Sequence, residues 1–141
     1  MSPESFSGCK LALFQNDLIL VYKRDQKEGI PYPGMLDLPG GGREGDETPE
    51  ECVLRELKEE FSITLPADRL IYRKRYELAA VGQYAYFFCG LLHDSESGDI
   101  VFGNEGEYWQ LMDINRYLSH PLAMPHLKAR VAAYLEDNKN T

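Results

Sequence analysis

One well-marked helix constrains the fold of this chain more than any other feature of the sequence. Thr48 is a good N-cap, Pro49 suits the first helical position, and Glu51 completes a Thr-x-x-Glu capping box. The apolar residues that follow share one face at helical spacing, and they are Val53, Leu54, Leu57 and Phe61. The pattern predicts a helix from about Pro49 to Phe61.

The polar side of this helix carries three glutamates, Glu56, Glu59 and Glu60. Offsets of three and four residues make them neighbours on the helix surface, where like charges repel by about 0.2–0.5 kcal/mol per pair. A solvated acidic face is the ordinary explanation for such a cluster. A divalent cation such as Mg²⁺ or Mn²⁺ would reverse the sign of the interaction, because these ions require oxygen ligands.

The rest of the chain alternates short strands with turns and helices. A hairpin is predicted over Lys10 to Phe14 and Leu18 to Lys23, and a short extended piece over 35–38 leads into three consecutive glycines. The later elements are strands at Leu70 to Tyr76, Tyr84 to Leu92 and Trp109 to Met112, a short helix at Asp113 to Leu118, and a helix at Pro125 to Asp137. This order predicts a mixed α/β sheet with helices packed on it, in a single domain over residues 1–141.

Composition excludes several classes of function. The 23 acidic residues exceed the 15 basic ones, for a net charge of −8, which argues against nonspecific binding to nucleic acid. No apolar run approaches the ~20 residues of a membrane-spanning helix, and the first residues lack a signal-peptide pattern. We therefore expect a cytoplasmic protein with no membrane partner. The three cysteines are odd in number and far apart, which predicts neither a disulfide framework nor a zinc site.

Residues 41–63 carry the most specific pattern in the chain. Gly41 is followed after five residues by Glu47, and after seven more by the run Arg55-Glu56-Leu57-Lys58-Glu59-Glu60-Phe61-Ser62-Ile63. This resembles the Nudix box of the Nudix hydrolase family, Gly-x5-Glu-x7-Arg-Glu-U-x-Glu-Glu-x-Gly-U, in which U is apolar. The positions matched by identity are Gly41, Glu47, Arg55, Glu56, Glu59 and Glu60, and those matched by apolar character are Leu57 and Ile63.

Ser62 departs from the pattern, because the family has glycine there. That glycine follows the helix, where a left-handed residue usually closes it. Serine in the same conformation would cost roughly 1 kcal/mol, unless the helix ends differently.

The resemblance implies a Nudix-type α/β/α sandwich, which is a mixed sheet with helices on both faces. It implies a MutT-like, metal-dependent hydrolase that cleaves a phosphoanhydride bond in a nucleoside diphosphate linked to another group, with Mg²⁺ or Mn²⁺ as cofactor. The catalytic metal ligands implied are Glu56, Glu59 and Glu60. Glu56 is also a candidate to activate the attacking water, although the resemblance leaves the identity of the general base open.

The same resemblance assigns supporting roles around the helix. Glu47 and Arg55 are expected to pair, to hold the glycine-rich loop against the helix and to orient the metal ligands. Gly40 or Gly41 is expected to offer a backbone carbonyl to the metal, with a plain tight turn as the equal alternative.

Further candidates lie outside the box. Glu105 is the first choice for a further catalytic carboxylate that binds metal, and Glu107 is the second; an ordinary acidic loop residue explains either one equally well. Arg24 and Arg43 are candidates to bind substrate phosphates, although a surface salt bridge is the more ordinary role for each.

The substrate is chosen by elimination among the subfamily patterns. Leu78, Ala79 and Ala80 stand where ADP-ribose-cleaving relatives often have proline, and Tyr84 lies a few residues late for the dinucleoside-polyphosphate relatives. Nucleoside triphosphates are therefore favoured, and an ADP-sugar or dinucleotide pyrophosphatase is the alternative. A Nudix-like module that binds a nucleotide without cutting it is the alternative from another class. Because family members are often dimers, a homodimer stays open.

Overall fold

A mixed sheet organises the chain in a computed structural model, which describes residues 5–80 and 82–139. Its strands are β1 (Gly8–Gln15), β2 (Leu18–Lys23), β3 (Leu36–Asp37), β4 (Gly40–Gly42), β5 (Leu70–Glu77), β6 (Tyr84–Leu91) and β7 (Tyr108–Asp113). The strand order is β3-β2-β1-β6-β5, while β4 also pairs with β1 and β7 also pairs with β2. Strands β1 and β6 run parallel, and the other pairs run antiparallel.

Helices cover both faces of this sheet. They are α1 (Pro49–Phe61), α2 (Ile114–Ser119) and α3 (Pro125–Lys139), and short 3₁₀ turns lie at Ala67–Arg69 and Asp94–Asp99. Successive side chains of a strand point to opposite faces. Leu11 and Leu13 of β1 therefore pack into the core under α1, whereas Ala12 and Phe14 pack into the core under α3. The predicted mixed sheet with helices on both faces is confirmed.

Helices α1 and α3 each bury one apolar face. The buried residues are Val53, Leu57 and Phe61 of α1 and Leu127, Val131 and Tyr134 of α3. Burying a large apolar side chain contributes roughly 1.5–3 kcal/mol. These contacts therefore fix each helix on its own side of the sheet, and the polar side of α1 is left facing outward.

The sheet opens around the start of β1. The end of β1 pairs with β2, at Phe14↔Ile19, whereas its start pairs with β4, at Lys10↔Gly40. Asp37 of β3 pairs with Tyr22 of β2, so the chain passes from β3 to β4 between the two parts of the sheet. This opening brings the glycine strand, the start of β1 and Asp37 together.

Helix α1 begins and ends as sharply as its sequence predicts. The Thr48 hydroxyl accepts from the Glu51 backbone N–H at 3.1 Å, and the Glu51 carboxylate accepts from the Thr48 N–H at 2.9 Å. At the other end, Ser62 is left-handed, with φ 60° and ψ 30°, and its N–H donates to the Lys58 carbonyl. Serine therefore adopts the conformation that favours glycine, at a cost of roughly 1 kcal/mol.

The other predicted elements are confirmed, with boundaries that differ by at most two residues. The three glycines form strand β4, a pairing that the sequence did not predict because the partner strand is distant in sequence. Among the described residues the three cysteines are free, and the Sγ atoms of Cys9 and Cys52 meet at 3.2 Å in the core under α1. No helix within residues 5–80 and 82–139 is long and apolar enough to cross a membrane.

Candidate active site

A cleft of about 570 Å³ lies between the polar side of α1, the glycine strand β4 and the loop at residues 103–105. Carboxylates dominate its lining, and those that reach it are Glu44, Glu56, Glu59, Glu60 and Glu105. A volume of this size suits a small-molecule ligand. The cleft therefore gathers the three box carboxylates with Glu105, the first choice for the further metal-binding carboxylate outside the box, called here the distal carboxylate.

Arg55 ties the helix to the glycine strand. Its Nε donates to Glu47 Oε2 at 2.6 Å and its Nη2 donates to Glu47 Oε1 at 3.0 Å, while Nη2 also donates to the Gly42 carbonyl at 2.9 Å. The hydrogen bond from Arg55 is the main reason that the pKa of Glu47 is lowered. The predicted Glu47–Arg55 ion pair is present, and it holds β4 against α1.

The same guanidinium also contacts two of the box carboxylates. Arg55 Nη1 donates to Glu56 Oε1 at 3.0 Å and to Glu59 Oε2 at 3.1 Å. These carboxylates would otherwise repel one another, so Arg55 offsets part of the repulsion within the cluster. The partners of Arg55 together raise the pKa of its guanidinium, with the hydrogen bond to Glu47 as the largest cause.

Glu60 lies deepest of the three box glutamates. Its Oε1 accepts from the Gly40 backbone N–H at 2.9 Å, yet burial raises the pKa of its carboxyl to about 8. Burial likewise raises the pKa of Glu56, against the opposing effect of Arg55. Desolvation penalises the charged form of a carboxylate unless a cation compensates it. The cleft therefore holds buried carboxylates whose charge is incompletely neutralised.

Two glycines of β4 allow the close approach between strand and helix. Gly40 has φ +143°, and a Cβ atom there would lie 2.2 Å from the Cys9 carbonyl oxygen. A Cβ atom on Gly41 would lie 2.6 Å from the Glu56 carboxylate. The Gly41 carbonyl faces the thiols of Cys52, at 3.8 Å, and Cys9, at 4.0 Å. Gly40 therefore requires glycine because its Cβ would strike backbone atoms, whereas a Cβ on Gly41 would displace the end of the Glu56 side chain.

The structure separates the two candidates for the distal carboxylate. Glu105 lines the cleft. Glu107 instead forms an ion pair with Lys23 Nζ at 3.2 Å and is not part of the cleft lining. The geometry thus places the first choice, Glu105, at the cleft and directs the second choice elsewhere.

The two candidate phosphate-binding arginines also have different surroundings. Arg24 lines the cleft. Arg43 does not: its guanidinium lies 4.4 Å from the ring centre of Phe6, and its Nε donates to the Glu47 carbonyl at 2.9 Å. Arg43 lies outside this cleft because the chain turns away after β4 and directs it toward the N-terminal end of α1. That Arg43 binds phosphate stays a prediction.

Three residues at or behind the cleft wall were not singled out by the sequence, namely Asp37, Lys10 and Tyr22. Asp37 is fully buried, and its Oδ2 accepts from Lys10 Nζ at 2.9 Å, Arg24 Nη1 at 3.0 Å and Tyr22 Oη at 3.1 Å. Lys10 and Tyr22 line the cleft together with Arg24. One signal was visible in the sequence, namely an aspartate inside the apolar run Leu36-Asp37-Leu38.

The profile of the NUDIX domain matches residues 7–134. This chain belongs to the NUDIX domain family. Over 99 residues, which are 69% of this chain and 70% of the relative, it is 29% identical to an 8-oxo-dGTP diphosphatase from Haemophilus influenzae. These similarities identify it as a MutT-like Nudix hydrolase of the pyrophosphohydrolase type.

Solved structures share the Nudix fold. A MutT protein from Methanosarcina mazei Go1 matches with a TM-score of 0.74 at 19% identity, over 99% of each chain. A bifunctional NMN adenylyltransferase/ADP ribose pyrophosphatase from Francisella tularensis, solved with AMP and a Mn ion, matches with a TM-score of 0.71 at 20% identity. That match covers 97% of this chain and 42% of the other. At these identities the likeness establishes the fold.

Nudix hydrolases generally use divalent metal ions, and the donor set of this cleft suits them. Carboxylate oxygens are the ligands that Mg²⁺ and Mn²⁺ prefer, and the buried Glu60 carboxylate is incompletely compensated. Among the described residues, no three carboxylate, thiol or imidazole side chains converge closely enough to hold an ion as they stand. In this arrangement Glu56 and Glu59 both contact the Arg55 guanidinium.

Proposed function

We propose that this Nudix hydrolase is a nucleotide pyrophosphohydrolase that prefers nucleoside triphosphates. One observation carries the proposal: Glu56, Glu59 and Glu60 share a cleft with Glu105 and face two cationic side chains, Lys10 and Arg24. Clefts that cut phosphoanhydrides need both metal-binding carboxylates and cations for phosphate oxygens. The similarity to an 8-oxo-dGTP diphosphatase supports a triphosphate as the substrate.

The proposed metal ligands are side chains of the cleft and one backbone carbonyl. Mg²⁺ or Mn²⁺ would be held by Glu56, Glu59, Glu60 and Glu105, with Gly40 as the better carbonyl candidate because the Gly41 carbonyl faces two thiols. The metal would supply charge stabilisation on phosphate oxygens and a lowered pKa for the attacking water.

The residues of the chain have distinct tasks in this proposal. Glu56 is the candidate to remove the proton of the attacking water, since it lies on the cleft wall beside the glycine strand. Arg55, itself held by two hydrogen bonds to Glu47, orients the Glu56 carboxylate through a further hydrogen bond. Arg24 presents its guanidinium to substrate phosphates. Catalysis then consists mainly of positioning and electrostatic stabilisation.

The alternatives concern the substrate and catalysis itself. The ADP ribose pyrophosphatase neighbour is 20% identical, and a structurally similar Ap4A hydrolase from C. elegans is 18% identical. Neither likeness favours those substrates over triphosphates. A binding module that does not cut would not need Glu47, Glu56, Glu59 and Glu60, and this chain keeps all four. A single domain over residues 1–141, a cytoplasmic location and a homodimer stay predictions of the sequence.

The test is formation of hydrolysis products, separated by anion-exchange chromatography, from a panel of nucleotides with Mg²⁺, with Mn²⁺ and with EDTA, at mildly alkaline pH. The panel contains nucleoside triphosphates, ADP-ribose and dinucleoside polyphosphates. We expect metal-dependent release of pyrophosphate, abolished by EDTA, with a triphosphate as the best substrate. Binding without turnover of any nucleotide would support the sensing module, and a preference for another class would replace the triphosphate.

A further inference from the structure

The strand side of the cleft carries a tethered pair of cations opposite the acidic helix. Lys10 Nζ and Arg24 Nη1 both donate to the same oxygen, Asp37 Oδ2, at 2.9 and 3.0 Å. Lys10 Nζ also donates to the Leu38 carbonyl at 3.3 Å, and Arg24 Nε donates to the Pro31 carbonyl at 3.0 Å. Each long side chain is therefore held at two points, which fixes its direction.

Asp37 is well suited to hold these cations in place. Its side chain has no exposed surface, and its second oxygen, Oδ1, accepts from the Leu38 backbone N–H at 2.7 Å. With Tyr22 Oη as a third donor to Oδ2, every part of this carboxylate is engaged. A buried ionic network is often no more stabilising than an apolar replacement of similar volume. A contribution to folding stability is therefore a weak explanation for this buried network beside the cleft.

The two cations keep part of their hydrogen-bonding capacity for a ligand. Lys10 and Arg24 are 22% and 21% exposed, and both line the cleft. Within the described residues, Lys10 uses two of its three N–H donors and Arg24 uses two of its five. Fixing long side chains before a ligand arrives reduces the entropy lost on binding.

We infer that Asp37 is a positioning residue, which fixes Lys10 and Arg24 as a receptor for a substrate phosphate that works without a divalent ion. The inference rests on the proposed function, because it names the part of that site that binds the anion independently of metal. The substrate would then lie between two sources of positive charge, with metal on the glutamates of α1 and fixed cations on the strand side. Lys10 was not a predicted site residue, and it becomes a phosphate ligand here.

The Asp37→Asn variant separates positioning from simple electrostatics. Loss of a negative charge beside the cleft should strengthen the binding of a phosphate if only net charge matters. Loss of the tether should weaken it, because the two cations no longer point into the cleft. We expect D37N to raise the Kd of dGMP, measured by calorimetry in EDTA, by about tenfold or more.

Single and double variants test whether Asp37 acts through the cations. K10Q and R24Q should each weaken dGMP binding in EDTA by about ten- to hundredfold. The loss of dGMP binding free energy in the K10Q/D37N double variant should be smaller than the sum of the losses in K10Q and D37N, because Asp37 acts through Lys10. In turnover, these variants should raise KM more than they lower kcat.

Matched controls exist for both cations. Lys23 is 20% exposed and pairs with Glu107, and Arg69 is 20% exposed and pairs with Glu96. Neither lines the cleft. K23Q and R69Q should therefore leave the dGMP affinity in EDTA unchanged, which separates loss of the receptor from general loss of positive charge.

Two results would overturn the inference. One is wild-type protein that fails to bind dGMP in EDTA, and the other is D37N that binds it as well as or better than the wild type. If D37N does not fold, the apolar triple variant K10M/R24M/D37L, which we expect to fold, replaces it. It should bind dGMP in EDTA at least tenfold more weakly than K23Q, and equal affinity of the two variants would overturn the inference. The proposed function fails separately, through absence of metal-dependent turnover.

Discussion

Helices α1 and α3 cover opposite faces of one sheet, but they use their polar sides differently. On α3, charged groups find separate partners: Lys128 donates to the His120 carbonyl, Arg130 lies over the Tyr76 ring, and Asp137 accepts from the Tyr72 hydroxyl. On α1, Glu56 and Glu59 share one guanidinium, that of Arg55. Dispersed pairs leave each charge on α3 with its own partner, whereas the like charges clustered on α1 repel one another and have one guanidinium in common.

The largest difference between the helices should appear in turnover. Glu59→Gln on α1 removes a proposed metal ligand, so we expect kcat to fall on the order of 10³-fold with Mg²⁺ while the far-UV circular dichroism spectrum stays unchanged. Glu136→Gln makes the same change at an exposed position of α3 and should leave kcat unaltered. Near-normal turnover by E59Q would refute the assignment of the α1 carboxylates to catalysis.

The hydrogen bonds by which Arg55 clamps α1 to the glycine strand, called here the clamp, should contribute to both activity and stability. Arg55→Gln removes the bonds to Glu47, Gly42 and the box carboxylates, so we expect kcat/KM to fall by about ten- to hundredfold. The free energy of unfolding should drop by about 1–3 kcal/mol, measured by urea denaturation.

Lys128→Gln on α3 is the matched control for the clamp, because Lys128 also reaches a backbone carbonyl from a helix. It should change stability by less than about 1.5 kcal/mol and leave kcat/KM as in the wild type. Equal effects of the two substitutions on activity would show that Arg55 is an ordinary structural side chain.

Local sequence signals account for the elements that could be predicted. The capping box, the helix over 49–61 and the Glu47–Arg55 pair each depend on residues close together in the chain, and all are observed. Strand β4 and the burial of Asp37 depend on pairings with β1 and β2, which lie many residues away. Their roles therefore became visible only in the folded chain.

The two candidate arginines show the same limit at the level of single side chains. Arg24 and Arg43 carry the same guanidinium group, and they lie on either side of the glycine-rich segment in sequence. Arg24 donates to the buried Asp37 and so lies at the cleft. Arg43 instead contacts the Phe6 ring and the Glu47 carbonyl, outside the cleft. Neither partner could be assigned from spacing, because each direction is set by tertiary contacts.

The buried carboxylate of α1 should also make stability depend on pH. The pKa of Glu60 is raised from 4.5 to about 8 in the folded protein, so between about pH 5 and 8 the folded state binds a proton that the unfolded state has lost. The contribution of Glu60 to the free energy of unfolding is therefore fully present below pH 4.5, and it is lost as the pH rises through 8. Glu60→Gln should match the wild type at pH 5 and exceed it by about 1–2 kcal/mol at pH 8.5 in EDTA.

Thermal unfolding of both proteins in EDTA across this pH range checks the prediction. Adding Mg²⁺ at pH 8.5 should raise the Tm of the wild type more than that of E60Q, because the ion favours the charged carboxylate. E136Q on α3 should follow the wild-type pH profile. Parallel profiles for wild type and E60Q would show that Glu60 is already ionised at pH 5 in the folded protein.

The smallest expected effect distinguishes the end of α1 from the middle of α3. Ser62 occupies a left-handed conformation with φ 60°, so Ser62→Gly should relieve strain and raise the free energy of unfolding by about 0.5–1 kcal/mol. Ala132→Gly, at an exposed position within α3, should lower it by about 1 kcal/mol, since glycine there only adds freedom to the unfolded chain. Urea denaturation measures both changes, and kcat should stay constant because neither side chain lines the cleft. Destabilisation by both glycines would mean that serine holds the turn through its own contacts, and that the departure from the family pattern is an adaptation of this helix end.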